Sequence, residues 1–144
     1  MDQRNGQCLC GAIKVKATLL QPEIQACHCV QCQRWTGGGP HFALWVKDLE
    51  IDGATNLNSY RASEWGERAN CKNCGSIIYW KMQGKDPDSI AVGLLDDQSG
   101  LTLSEEIFVD RRAAWAHPVE TANQSTEAEQ IAKFDAYMAR QNDK

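Results

Sequence analysis

Apolar and polar residues alternate through much of the chain, which is the pattern of strands with one buried face. AIKVKATL (12–19) alternates around its isoleucine and valine, and HFALWVK (41–47) places Phe42, Leu44 and Val46 on one face. Shorter apolar runs bounded by turn-forming residues span 76–80, 89–95 and 105–110. Many short strands at short spacing predict an all-β or mainly β domain.

The end of the chain has a different period. Thr126 and Glu129 form a T-x-x-E capping box, which marks a helix start. Apolar residues then recur at helical spacing, at Ile131, Phe134, Tyr137 and Met138. We expect one amphipathic helix from about 126 to 140. It is expected to cover part of the sheet, and the alternative is a contact in a dimer.

Composition and charge narrow the class of protein. The 144 residues are 42% hydrophobic and 24% charged, which predicts a single globular domain over 1–144. The net charge of -4 leaves no basic face for nucleic acid. No apolar run is long enough to span a membrane, and MDQRNGQC is not a signal peptide. These features predict a soluble, cytoplasmic protein without a nucleic-acid or membrane partner.

Seven cysteines are the main chemical feature of the sequence. In a reducing compartment, closely spaced cysteines are more often metal ligands than disulfides. The motifs CLCG (Cys8 and Cys10) and CKNCG (Cys71 and Cys74) each end with a glycine directly after the last cysteine, which allows the sharp turn of a zinc knuckle. We therefore predict that these four hold one structural zinc ion and that its removal unfolds the domain.

The remaining cysteines are Cys27, Cys29 and Cys32 in CHCVQC. Three protein ligands leave a fourth zinc position open, as in a catalytic site, and a thiolate-bound zinc ion suits a thiol substrate. Three alternatives stay open. His28 or His41 closes the site, Cys29 and Cys32 form a redox pair, or the thiols are merely buried.

A few further residues are candidates for substrate binding. Arg34 can bind a carboxylate, although a surface ion pair is an equal alternative. Trp35 and Phe42 flank the Gly-rich loop beside the three cysteines, and His41 is the candidate for proton transfer. The five tryptophans are otherwise expected in the core or at its rim.

Three segments in this order, GQCLCGAIKVKA, CHCVQCQRWTGG and CKNCGSIIYW, resemble the family of the glutathione-dependent formaldehyde-activating enzyme, which includes centromere protein V. The resemblance runs from about Gly6 to Pro118, and all seven cysteines match. It implies a β-tent fold, two zinc ions per chain with the same division of the cysteines, and a carbon–sulfur lyase that joins formaldehyde to glutathione reversibly.

The sequence thus predicts a zinc-dependent carbon–sulfur lyase that acts on a thiol–aldehyde adduct, with a small thiol such as glutathione as its partner. The alternative is a zinc-stabilised module that binds a protein and has no catalytic activity.

Overall fold

The computed structural model describes residues 1–117 and 121–142, and Pro118, the expected end of the resemblance, lies outside them. Within these residues the chain forms eight strands and two α-helices. The strands are β1 (Gln3–Gln7), β2 (Lys14–Cys27), β3 (His41–Asp52), β4 (Leu57–Arg61), β5 (Gly66–Cys71), β6 (Ile77–Met82), β7 (Ser89–Ala91) and β8 (Thr102–Ile107). The helices are α1 (Val30–Thr36) and α2 (Glu127–Asn142). The predicted mainly β fold with a C-terminal helix is confirmed.

The strands form two sheets. The first has the order β1-β2-β3-β7, all antiparallel, and β8 adds to β2 in parallel. The second is the antiparallel sheet β4-β5-β6. The second half of β2 pairs with β8 on one side and with β3 on the other. Its last residue, Cys27, therefore lies between Ile107 and His41. This position starts the segment that carries three of the cysteines.

One apolar core joins the two sheets. Its fully buried side chains include Ile13, Leu44, Ile78 and Ile90, which come from both sheets and from the turn before β2. Phe42, predicted on the same face as Leu44 and Val46, is 40% exposed, whereas the other two are buried. Phe42 therefore lies outside the core.

The helices differ from the prediction in two ways. Helix α2 forms close to the expected bounds, but every one of its residues is exposed. It does not cover the sheet, and that expectation is wrong. Helix α1 was not predicted, because seven residues are too few to show a helical period. Cys29 caps it by accepting a hydrogen bond from the Cys32 backbone N–H (3.3 Å), and Gly37 ends it in a left-handed conformation.

None of the helices in residues 1–117 and 121–142 combines the length and the apolar character that crossing a bilayer requires.

Candidate metal centres and the adjoining cavity

Two turns of the same local geometry bring four cysteines together. In the turn after β1, the Cys8 N–H donates to the Ile13 carbonyl, and the Gly11 N–H donates to the Cys8 carbonyl. In the turn after β5, Cys71 makes the equivalent bonds with Ser76 and Gly75. The glycines that follow the cysteines have φ values of 79° and 80°, which glycine adopts without strain. Both glycines therefore allow the sharp turn that the sequence predicted after the last cysteine of each motif.

The sulfur atoms of Cys8, Cys10, Cys71 and Cys74, the four-cysteine group, all lie within 4.8 Å of one another. Cys8 Sγ is 3.7 Å from Cys10 Sγ, which in turn is 3.9 Å from Cys71 Sγ. A tetrahedron with zinc–sulfur bonds of about 2.3 Å has edges of about 3.8 Å. The donor atoms and their spacing therefore fit a zinc ion.

The four-cysteine group connects the two sheets. Cys8 and Cys10 follow β1 in the first sheet, whereas Cys71 is the last residue of β5 and Cys74 lies between β5 and β6 in the second. The Ser76 hydroxyl supports the site, because it accepts a hydrogen bond from the Leu9 N–H (2.9 Å) and lies 3.2 Å from Cys74 Sγ. This contact with Ser76 lowers the pKa of Cys74 to about 5, which favours the thiolate that a metal needs.

Cys27, Cys29 and Cys32, the three-cysteine group, come from one short segment that runs from the end of β2 into α1. Their sulfur atoms also lie within 4.8 Å of one another. The hydrogen bond between Cys27 and Cys32 lowers the pKa of Cys27 and raises the pKa of Cys32, because a thiol that donates to a neighbouring thiolate keeps its own proton. Three soft donors at this spacing fit a thiophilic ion such as zinc, which would replace the shared proton.

Neither His28 nor His41, the two candidates for a fourth ligand, belongs to the three-cysteine group within the part of the chain that the structure describes. The His28 ring is buried and lies 2.9 Å from Glu106, which Arg112 also contacts at 3.1 Å. That hydrogen bond directs the ring towards β8. Cys29 and Cys32 do start a helix, as in redox pairs, but this helix connects two antiparallel strands and is not part of a βαβ unit.

A cavity of about 540 Å³ opens beside the three-cysteine group, and all three of its cysteines line it. None of the four-cysteine group does. The walls of this cavity are largely apolar and include the aromatic side chains of Trp45, Trp65, Trp80 and Phe108. The size is typical of small-molecule sites. A smaller cavity of about 310 Å³ lies on the outside of β1, β2 and β3 and contains no cysteine.

The cavity also contains two polar groups that are almost fully buried, His41 and Arg68. His41 Nε2 and Arg68 Nε have no hydrogen-bond partner among the described residues. Both side chains pack on Trp35, with ring centroids 4.9 Å apart for His41 and a guanidinium-to-ring distance of 4.7 Å for Arg68. Burial and, to a smaller extent, the charge of Arg68 lower the pKa of His41 to about 4. His41 is therefore a neutral imidazole at neutral pH.

The other candidates for substrate binding are not among the residues that line the cavity. Arg34 is exposed on α1, Phe42 is exposed on β3, and Trp35 lies behind Arg68 and His41. Their roles in binding stay predictions. The expectation for the tryptophans was incomplete, because none of the five belongs to the buried core and three line the cavity.

Arg68 is the main residue that the sequence analysis missed. It lies in β5 in the segment GERANC, where buried and half-buried positions show no simple alternation. A single arginine three residues before a cysteine carries no signal of its own. Only the pairing of the second sheet brings it next to Cys32.

Comparison with known proteins gives three relevant matches. The model of the family described as the glutathione-dependent formaldehyde-activating enzyme matches residues 3–111, which include all seven cysteines. A protein of Schizosaccharomyces pombe described as an uncharacterized lyase is 31% identical over 112 residues, covering 76% of this chain and 81% of that protein. A crystal structure of a Rhodobacter sphaeroides protein is similar with a TM-score of 0.54 and 22% identity, covering 71% of this chain and 98% of the other. At that identity the structural likeness concerns the fold alone.

Proposed function

The chain belongs to the family of the glutathione-dependent formaldehyde-activating enzyme, and from that premise we propose that it is a zinc-dependent carbon–sulfur lyase acting on a thiol–aldehyde adduct. One observation carries the proposal. The three cysteines that have no fourth protein ligand among the described residues are the ones that line the large cavity, whereas the set of four lies away from it. A metal ion with an open position facing a cavity is the arrangement of a catalytic site.

Two zinc ions per chain are part of the proposal. The four-cysteine group would hold the structural ion, and Cys27, Cys29 and Cys32 would hold the second. Zinc held by three thiolates supplies an open position that stabilises a substrate thiolate at neutral pH. The proposal includes a reducing compartment such as the cytoplasm, in which closely spaced cysteines stay available as metal ligands.

The chemistry of the substrate is simple. In the lyase direction the carbon–sulfur bond of the adduct breaks and its electron pair stays on sulfur. The hydroxyl group on the same carbon loses its proton, and its oxygen becomes the carbonyl oxygen of the aldehyde. The thiol and the aldehyde are the products, and the reverse reaction joins them.

The residues of the cavity would orient this substrate and keep water away from it. The aromatic walls formed by Trp45, Trp65 and Trp80 exclude water from the neighbourhood of the sulfur atoms. Neutral His41 would act through a hydrogen bond to the adduct oxygen rather than by holding a proton, because its pKa is far below neutral pH. The hydroxyl proton would leave to solvent at the open side of the cavity, and the thiolate would take up a proton when it is released as the thiol.

The first experiment measures exchange rather than net turnover, because thiols add to formaldehyde readily without a catalyst. Exchange between ¹³C-formaldehyde and S-(hydroxymethyl)glutathione is followed by NMR at equilibrium, with and without the zinc-loaded protein. We expect the protein to accelerate exchange and Cys29→Ser to abolish the acceleration. Serine is itself a good helix N-cap, so this variant keeps the start of α1. Equal exchange rates with wild-type protein and with buffer would refute the proposal for this adduct.

The rival proposal is a binding module without catalytic activity. The exposed apolar side chains of α2, such as Phe134 and Tyr137, favour contact with another protein. They do not account for the cavity beside the three-cysteine group. In cobalt-substituted protein, a small thiol should change the thiolate-to-metal absorption bands if the second site is open. Unchanged bands would favour the binding module.

A further inference from the structure

Arg68 is a buried cation without a carboxylate partner. Its side chain comes from the middle of β5, and the residue is only 7% exposed. Nη1 donates to Cys32 Sγ (3.5 Å) and Nη2 donates to Gln31 Oε1 (3.2 Å). No Asp or Glu of residues 1–117 and 121–142 forms an ion pair with it. A buried charge is normally paired, so this arginine requires a reason for its position.

The known contacts of Arg68 satisfy only part of its hydrogen-bonding capacity. A guanidinium group has five N–H donors and stays ionised at any physiological pH. Two bonds engage its Nη atoms, Nε has no partner in the described part of the chain, and the flat face stacks on Trp35. Stacking fixes the orientation of the group without neutralising its charge.

The cavity around Arg68 has an unusual balance of charge. Arg68 is the only Lys or Arg among the described residues that line it, and they include no Asp or Glu. The other polar side chains of the wall, such as Gln25, Ser63 and Ser89, are neutral. A ligand with one negative group therefore finds one fixed cationic side chain, whereas an ammonium group finds no carboxylate on the described wall.

We propose that Arg68 recognises a carboxylate of the substrate, so that the cavity selects thiol adducts that carry a carboxylate next to an apolar segment. Gln31 marks the position for this carboxylate. Its neutral amide oxygen now accepts from Nη2, and its side chain is exposed, so a carboxylate oxygen can replace it at small cost. The inference rests on the proposed function only in taking this cavity as the substrate site.

The simplest competing explanation is that Arg68 only balances the charge of the cysteine thiolates. That explanation accounts for the bond to Cys32 but not for the bond to neutral Gln31. The two explanations also differ in a measurable way. A mere counter-ion gives no preference among ligands that differ only in a terminal group.

The test uses three ligands without sulfur, so that it is independent of metal–thiol chemistry. They are 3-phenylpropionate, 3-phenylpropionamide and 3-phenylpropylamine, which share the apolar body and end in a negative, a neutral and a positive group. Binding to the zinc-loaded full chain is measured by the fluorescence of the tryptophans in the cavity wall. We expect the carboxylate to bind at least about tenfold more tightly than the amide, and the amine to bind most weakly.

Two variants assign the preference to Arg68. Arg68→Met keeps an unbranched apolar chain in place of the arginine stem and removes the charged guanidinium group, so the carboxylate should lose its advantage over the amide. Gln31→Glu keeps Arg68 and places a carboxylate against Nη2, so the preference should also fall. Arg140→Met, on the exposed helix α2, makes the same change of net charge away from the cavity and should leave the preference unchanged.

The outcomes separate this inference from the proposed function. Equal affinities for carboxylate and amide in the wild type, or a preference that survives both Arg68→Met and Gln31→Glu, would overturn the inference. If Arg68→Met does not fold, Gln31→Glu decides alone. A carboxylate preference that depends on Arg68, in a protein that fails to accelerate adduct exchange, would leave the anion site standing and reject the lyase.

Discussion

Replacing one cysteine in each group with serine should produce very different losses, although the two positions are equally buried. Cys71 is 0% exposed and Cys32 is 3% exposed. In both cases a hydroxyl group replaces a buried sulfur, which costs about 1–3 kcal/mol if the hydroxyl finds no partner. This common cost cancels in the comparison, and the remaining difference reports on the role of the bound metal.

The positions of the cysteines explain why the two variants should differ in stability. Cys10 and Cys71 are 61 positions apart and belong to turns of different sheets, whereas the three-cysteine group spans six consecutive residues. A cross-link that closes a long loop restricts the unfolded chain far more than one that closes a short loop. Structural zinc sites are worth about 10–16 kcal/mol in small peptides, and a domain of this length has a stability of about 7–20 kcal/mol.

We therefore expect Cys71→Ser to lose most of the free energy of unfolding and to be insoluble or unfolded. Cys32→Ser should stay folded, with about one zinc ion per chain instead of two. The assay combines zinc content, circular dichroism and chemical denaturation on both variants and on the wild type. Equal losses in the two variants, or a folded Cys71→Ser protein that keeps its metal, would refute the division between a structural and an open site.

Three further predictions concern metal removal, packing and pH. A chelator should remove the zinc ion of the three-cysteine group first, without loss of the β-sheet dichroism signal, and unfolding should accompany loss of the second ion; simultaneous release would contradict the open position. Gly66→Ala should displace Trp80, because an added Cβ would lie 2.4 Å from its Nε1, and should shift the fluorescence of the cavity, whereas Gly93→Ala, which meets nothing within 4 Å, should not. The pKa of His41 is about 4 in the folded protein, below the ordinary 6.5, so the unfolded chain binds one more proton between these values and stability falls as pH drops through this window. His41→Phe should remove up to about 3 kcal/mol of that pH dependence, measured by denaturation between pH 4 and 7, and an unchanged slope would contradict the buried neutral imidazole.

Local sequence signals predicted the parts of the fold that depend on neighbours in the chain. The alternation before and within β2 and β3 marked Ile13, Val15, Leu44 and Val46, all of which are buried. The strands β1, β4 and β5 were not predicted, because they are short and show no regular alternation of apolar and polar residues. The capping box at Thr126 located the start of α2 but gave no information on what the helix contacts.

The sequence by itself determined the two sets of cysteines, because glycine after a cysteine and the spacing of three close thiols are local properties of the chain. The cavity, and the place of Arg68 in it, depended on the tertiary structure. Arg68 is 36 positions from Cys32, and they meet only because β5 belongs to a second sheet that packs beside the end of β2. The two sets of cysteines can thus be recognised from short-range spacing. The charge and shape of a cavity arise from the packing of distant segments, which no single stretch of sequence records.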